Sequence, residues 1–91
     1  MMWLEIIRVR SAETDPGLLE EFLHSMPEIG RKERVEIRTY RHAALVGIDW
    51  SLHLRWESEP RERRESDLGL RLAQILRELG MVDHSVWIEQ A

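Results

Sequence analysis

Asp49-Trp50-Ser51-Leu52-His53-Leu54-Arg55-Trp56 alternates polar and apolar residues without a slip. Strict period two specifies a β-strand with one buried and one exposed face, because successive side chains of a strand point to opposite sides. Trp50, Leu52, Leu54 and Trp56 are expected to face a core. Asp49, Ser51, His53 and Arg55 are expected on the other side. That polar face is rich in groups that bind or transfer protons.

The rest of the chain supplies neighbours for this strand. Trp3 to Arg10 reads as a strand with Leu4 and Ile6 on one face and Trp3, Glu5, Ile7 and Val9 on the other. Thr14-Asp15-Pro16 opens a helix, with a capping side chain followed by proline. Leu18, Leu19, Phe22, Leu23 and Met26 form its apolar stripe, and Pro27 then Gly30 are expected to end it. Arg34 to Leu45 reads as a second strand, with Val35 and Ile37 on one face and Glu36, Arg38, Tyr40 and His42 on the other. Val46-Gly47-Ile48-Asp49 is the turn into the alternating strand. A Gly47-Ile48 loop of type II′ would place Arg38 opposite Glu57, Tyr40 opposite Arg55 and His42 opposite His53. A register two residues shorter places Arg38 beside His53 and Glu36 beside Arg55; the glycine favours the first.

Glu57 to Asp67 is a charged, solvated connection containing Pro60. Ser66 or Asp67 then caps a second helix with its stripe at Leu68, Leu72, Ile75, Leu76 and Leu79. Arg77 lies in its last turn and Gly80 is expected to provide a left-handed stop. Asp83 to Gln90 is the last strand, with Val86 and Ile88 on one face and Ser85, Trp87 and Glu89 on the other.

The order β-α-β-β-α-β packs most simply as an α+β ferredoxin-like sandwich: a four-stranded antiparallel sheet, order 4-1-3-2, with both helices on one face. Leu4, Ile6, Val35, Ile37, Val86 and Ile88 would join the alternating strand's apolar side beneath the helices. The open face would then carry Trp3, Ile7, Val9, Tyr40 and Trp87 among Glu5, Arg38, His42, His53 and Arg55. Exposed apolar surface on that scale calls for a cover, and a second copy of the chain packed sheet to sheet is the most economical one.

Bulk properties narrow the function classes. Residues 1–91 make a single domain. A chain of this length buries roughly 60–65% of its unfolded surface, so the core is thin. Without cysteine there is no disulfide, thiolate nucleophile or cysteine zinc site. Glu5, Arg8 and Arg10 interrupt the first segment, so it does not read as a signal peptide, and no run approaches membrane-spanning length. Cytoplasmic location is the default expectation. A net charge of −4 weighs against nucleic acid as a partner.

This pattern of long middle strands and a half-apolar open face resembles the dimeric α+β barrel superfamily, whose best-known members are the antibiotic-biosynthesis-monooxygenase-like proteins. The resemblance spans the chain and is one of pattern. Haem-degrading relatives use an asparagine, a tryptophan and a histidine; here Glu5 stands where the asparagine would be, and the second helix has no histidine. Stress-responsive barrel proteins begin on a histidine-led strand followed by Phe-Lys, whereas this strand reads Trp3-Leu4-Glu5-Ile6-Ile7-Arg8. The resemblance implies a homodimer and a pocket of the kind found in cofactor-independent oxygenases, and it carries over no individual functional residue.

The residues suggest one site. His53 and His42, with Tyr40 and Arg55, form a candidate catalytic set: histidine changes charge near neutral pH, tyrosine donates to a phenol or quinone oxygen, and arginine stabilises an oxyanion. Trp3 and Trp87 would wall a planar aromatic ligand, with Arg38 and Glu5 as further binding residues. Two histidines lacking a fixed third ligand do not define a metal site, and no metal or cofactor is expected. The competing explanation is plain packing of these groups in a dimer interface. Trp50 and Trp56 read as core, and His84 and His24 as local structural histidines. Three function classes follow: a cofactor-independent monooxygenase or isomerase, a non-enzymatic small-molecule-binding or assembly module, and, last, an RNA binder stacking bases on Tyr40, Trp3 and Trp87.

Overall fold

The computed structural model describes residues 2–11, 16–42, 49–57 and 65–90. The alternating run is strand β3, Asp49–Trp56, with Leu52 and Leu54 fully buried. Around it lie β1 (Trp3–Ser11), α1 (Pro16–His24), α2 (Met26–Glu33), β2 (Glu36–Arg41), α3 (Asp67–Arg77) and β4 (Gly80–Ile88). The sheet order is β2-β3-β1-β4 and every pairing is antiparallel. This is the ferredoxin-like α+β arrangement expected from the sequence. Among the described residues, no helix is long and apolar enough to cross a membrane.

β1 has the opposite phase to the expected one. Trp3, Glu5, Ile7 and Val9 are buried, whereas Leu4 and Ile6 lie half-buried on the open face. The pairing with β3 fixes this: Trp3 faces Trp56, Ile7 faces Leu52 and Val9 faces Trp50. Directly opposed residues share a face. The other phase would have buried Arg8 and Arg10, which follow Leu4 and Ile6 on the same side, at a desolvation cost far above the gain from two aliphatic side chains.

The first helix is two helices. Pro27 falls in the first turn of α2 instead of ending α1. Proline has no N–H, and the first turn of a helix has no intrahelical partner for one, so the residue fits a start as well as a stop. The break is at Ser25, whose Oγ donates to the Phe22 carbonyl at 2.6 Å. α2 ends at Arg34, with φ 58° and ψ 43°. Gly30 lies inside α2, where a Cβ would sit 2.6 Å from the Val35 carbonyl oxygen. Gly30→Ala should therefore lower stability by about 1–2 kcal/mol, the overpacking outweighing a helix-propensity gain of about 1 kcal/mol; urea denaturation measures it.

Two further expectations change. Gly80 is the first residue of β4, paired with Ser11, and no described glycine has positive φ. α3 closes instead at Glu78: the Glu78 N–H reaches the Ile75 carbonyl and the Leu79 N–H the Leu76 carbonyl. β2 adopts the shorter register: Glu36 faces Arg55, Arg38 faces His53 and Tyr40 faces Ser51. The His42 N–H reaches the Asp49 carbonyl at 2.9 Å, so His42 is not opposite His53. Glu36 profits from this register, taking Arg38 Nε at 2.6 Å and Arg55 Nη1 at 3.5 Å. The Gly47-Ile48 turn, the Thr14-Asp15 cap and residues 58–64 of the charged connection lie outside the described residues.

Candidate functional site

The sheet has two chemically distinct faces, and the expected site residues are divided between them. On the open face, the Tyr40 and His53 rings lie 4.5 Å apart, tilted by 48°. Ser51 Oγ is 3.2 Å from His53 Nε2. Burial pushes the His53 imidazole below its ordinary pKa, favouring the neutral ring. Arg55 leans on Met2 Sδ at 3.2 Å and on Glu36. The Asp49 carboxyl is held below its usual range by its hydrogen bond to Arg10 Nε at 3.0 Å. Trp87 is 58% exposed and Met81 78% exposed; Leu4 lies between Trp87 and β3, and Arg10 between Met81 and β3. Tyr40, His53, Arg38 and Arg55 are thus neighbours here, while His42 pairs with Asp49 and leaves the cluster. The histidine pair on which a metal site would depend is not formed. Among the described residues, no group of three or more His, Asp or Glu is placed to hold a metal ion.

Trp3 and Glu5 are on the helix face, away from these residues. Glu5 is fully buried, between Leu54 of β3 and Val86 of β4. The start of α3 descends onto it. The Ser66 N–H donates to Glu5 Oε2 at 3.1 Å and the Ser66 hydroxyl donates to Oε1. Trp56 Nε1 donates to Oε1 at 2.9 Å, and His84 Nε2 lies 2.8 Å from Oε2. Each oxygen therefore has two partners, which is what a buried carboxylate needs to offset its desolvation. Ser66 also caps α3, its Oγ accepting from the Gly69 N–H at 2.9 Å. The helix N-terminus adds a favourable field for the carboxylate. Gly69 completes the fit: any Cβ there would overlap Glu5 Oε2 and lie 3.1 Å from His84 Cε1.

Beside this network Trp3 stacks on Trp56, centroids 5.5 Å apart and planes 14° from parallel. Trp3 is 7% exposed, yet among the described residues its Nε1–H has no acceptor. An unsatisfied buried donor is rare and costs about 1–3 kcal/mol. His84 is oriented by Glu5 as a catalytic histidine is oriented by a carboxylate. In the tautomer in which Nε2 donates to Glu5, Nδ1 is the acceptor nitrogen of the ring.

Sequence reasoning treated His84 as local, Trp56 as core and Ser66 as a cap alone. The signal that finds them is the phase of β1. Once Arg8 and Arg10 are placed outward, Glu5 must point inward and must have buried partners.

No protein-family model matches the chain. No curated protein is similar to it. Among solved structures, that of Rv0793 from Mycobacterium tuberculosis is similar, with a TM-score of 0.67 and 21% identity, covering 100% of this chain and 97% of that one. At this identity the likeness shows the fold: a small α+β protein built on a four-stranded antiparallel sheet.

Proposed function

We propose that the chain is a homodimeric α+β barrel of the antibiotic-biosynthesis-monooxygenase-like kind, acting without a cofactor as a monooxygenase or isomerase on a small planar aromatic molecule. The observation that carries this reading is the buried Glu5–His84 pair beside stacked tryptophans with one unpartnered indole N–H. His84 removes a proton from a phenolic substrate, Glu5 holds the ring, and Trp3 Nε1–H donates to the oxyanion that forms. The resulting carbanion character supports either reaction with oxygen or tautomerisation. The open face, with Trp87, Tyr40, His53, Arg38 and Arg55, serves as the contact with the second copy.

A second reading, a binding module without turnover, draws on the completeness of the Glu5 network, which makes a rigid wall as readily as a catalyst. Oxygen uptake with a naphthohydroquinone separates the two. His84→Ala is expected to lower the catalysed rate by about 10²–10⁴ while the complex still forms. Binding without turnover in the native protein selects the module, and turnover that survives His84→Ala dismisses the proposed base. Light scattering at micromolar concentration should give a two-chain particle, and Trp87→Glu should give a single chain.

A further inference from the structure

A cleft of about 650 Å³ opens at the β2 edge, between α2 and the first residues of β2. Its volume falls within the range of small-molecule sites, roughly 300–1,000 Å³. Val35 and Ile37, each 7% exposed, supply a narrow apolar floor, Pro27 one wall, and Arg31, Arg34 and Arg55 the charged rim. Its lining includes neither Glu5 nor His84.

Two features set this rim apart. Arg34 is the one described non-glycine residue with positive φ. It occupies the helix-ending position that glycine fills without strain, so this backbone gains nothing from an arginine. Arg31 and Lys32 already place cations in the last turn of α2. A third is not needed to offset the helix dipole. Moreover, among the described residues neither Arg31 nor Arg34 has an ion-pair partner. The lining includes two carboxylates, Glu36 and Glu57. Glu36 is already held by Arg38, from outside the cleft, at 2.6 Å. The partial negative charge at the end of α2, roughly half an elementary charge, is smaller than the charge of a single guanidinium. A chain of net charge −4 thus has a locally positive pocket over an apolar floor.

From this we infer that the cleft binds a small amphiphilic anion, its carboxylate or phosphate head on Arg31 and Arg34 and its short apolar tail on Val35 and Ile37. Guanidinium forks match both head groups, since each offers a pair of acceptor oxygens spaced for two parallel hydrogen bonds. Arg55, shared with Glu36, closes the far side of the rim.

Calorimetric titration and thermal melts of the full chain with octanoate, octyl phosphate and octylamine test the inference. At least one of the two anions is expected to bind and raise the melting midpoint, and which one does so identifies the head group. Octylamine is expected to do neither. Arg34→Gly should raise the midpoint of the unliganded protein by a few degrees, since it relieves the left-handed backbone, and yet weaken anion binding at least about tenfold, the loss of one charge-assisted contact. Arg31→Gln should weaken binding similarly and leave the unliganded midpoint within about 2–4 °C, since surface changes are usually within about 0.5 kcal/mol. Binding of octylamine as tight as that of the anions, undiminished anion binding in both variants, or no response to either anion would overturn it.

Discussion

Glu5→Ala is expected to destabilise the domain by about 3–5 kcal/mol, near the low end of what several buried donors left unsatisfied cost together at roughly 1–3 kcal/mol each. The reason is the number of donors left behind. Trp56 Nε1–H, the Ser66 N–H and hydroxyl, and the His84 ring all point at the vacated carboxylate. Stabilities of single domains are only about 5–15 kcal/mol, so this one change removes a large fraction. At roughly 4–8 °C per kcal/mol for a domain of this size, the midpoint falls by about 12–40 °C. Urea titration of the variant beside Glu5→Gln is the measurement. Glutamine keeps the volume and half of the acceptors, and a smaller loss is expected for it. Equal, small losses in both variants would mean that the network contributes little.

Gly69→Ala is expected to cost about 2–3 kcal/mol, although alanine is the better helix former by about 1 kcal/mol. Its methyl would overlap one oxygen of a carboxylate that four hydrogen bonds hold in place, and would press on the His84 ring. The two changes are coupled through that overlap. In Gly69→Ala/Glu5→Ala the new methyl no longer meets Oε2. The double variant should therefore lose about 1–2 kcal/mol less than the sum of the singles, within the range of couplings between touching residues. Strict additivity, measured by the same urea titrations, would show that Gly69 is not fitted to Glu5.

Local pattern made β3 legible to the residue, because eight alternating positions admit one strand phase. It also narrowed the α3 cap to Ser66 or Asp67, of which Ser66 is the cap, and anticipated the strand order, since a β-α-β-β-α-β chain has few compact solutions. It failed where two local signals compete. Trp3, Ile7 and Val9 against Leu4 and Ile6 is an apolar contest on both faces of β1, decided by the arginines further along. Pro27 carries the same meaning at a helix start as at a helix end. Gly47 suggested a register with His42 opposite His53, whereas the His42 N–H reaches the Asp49 carbonyl and Arg38 faces His53. The Glu5–His84 contact spans 79 positions and has no local signature at all. It becomes visible only when the register of β1 with β4 places Glu5 and His84 two positions apart across the helix face.

The chain has four tryptophans, and their indole N–H groups report separately on the two faces: Trp3 and Trp56 beside Glu5, Trp87 on the open sheet. A nitrogen–proton correlation spectrum during titration with naphthol, an unreactive planar phenol, therefore tests the central claim directly. The Trp3 Nε1–H signal should move progressively downfield as it gains an acceptor, while the Trp87 signal, bonded to Ser85 Oγ at 2.9 Å, stays in place. A Trp3 signal that does not move at saturating naphthol, with or without movement at Trp87, would contradict a site at the Glu5–His84 pair.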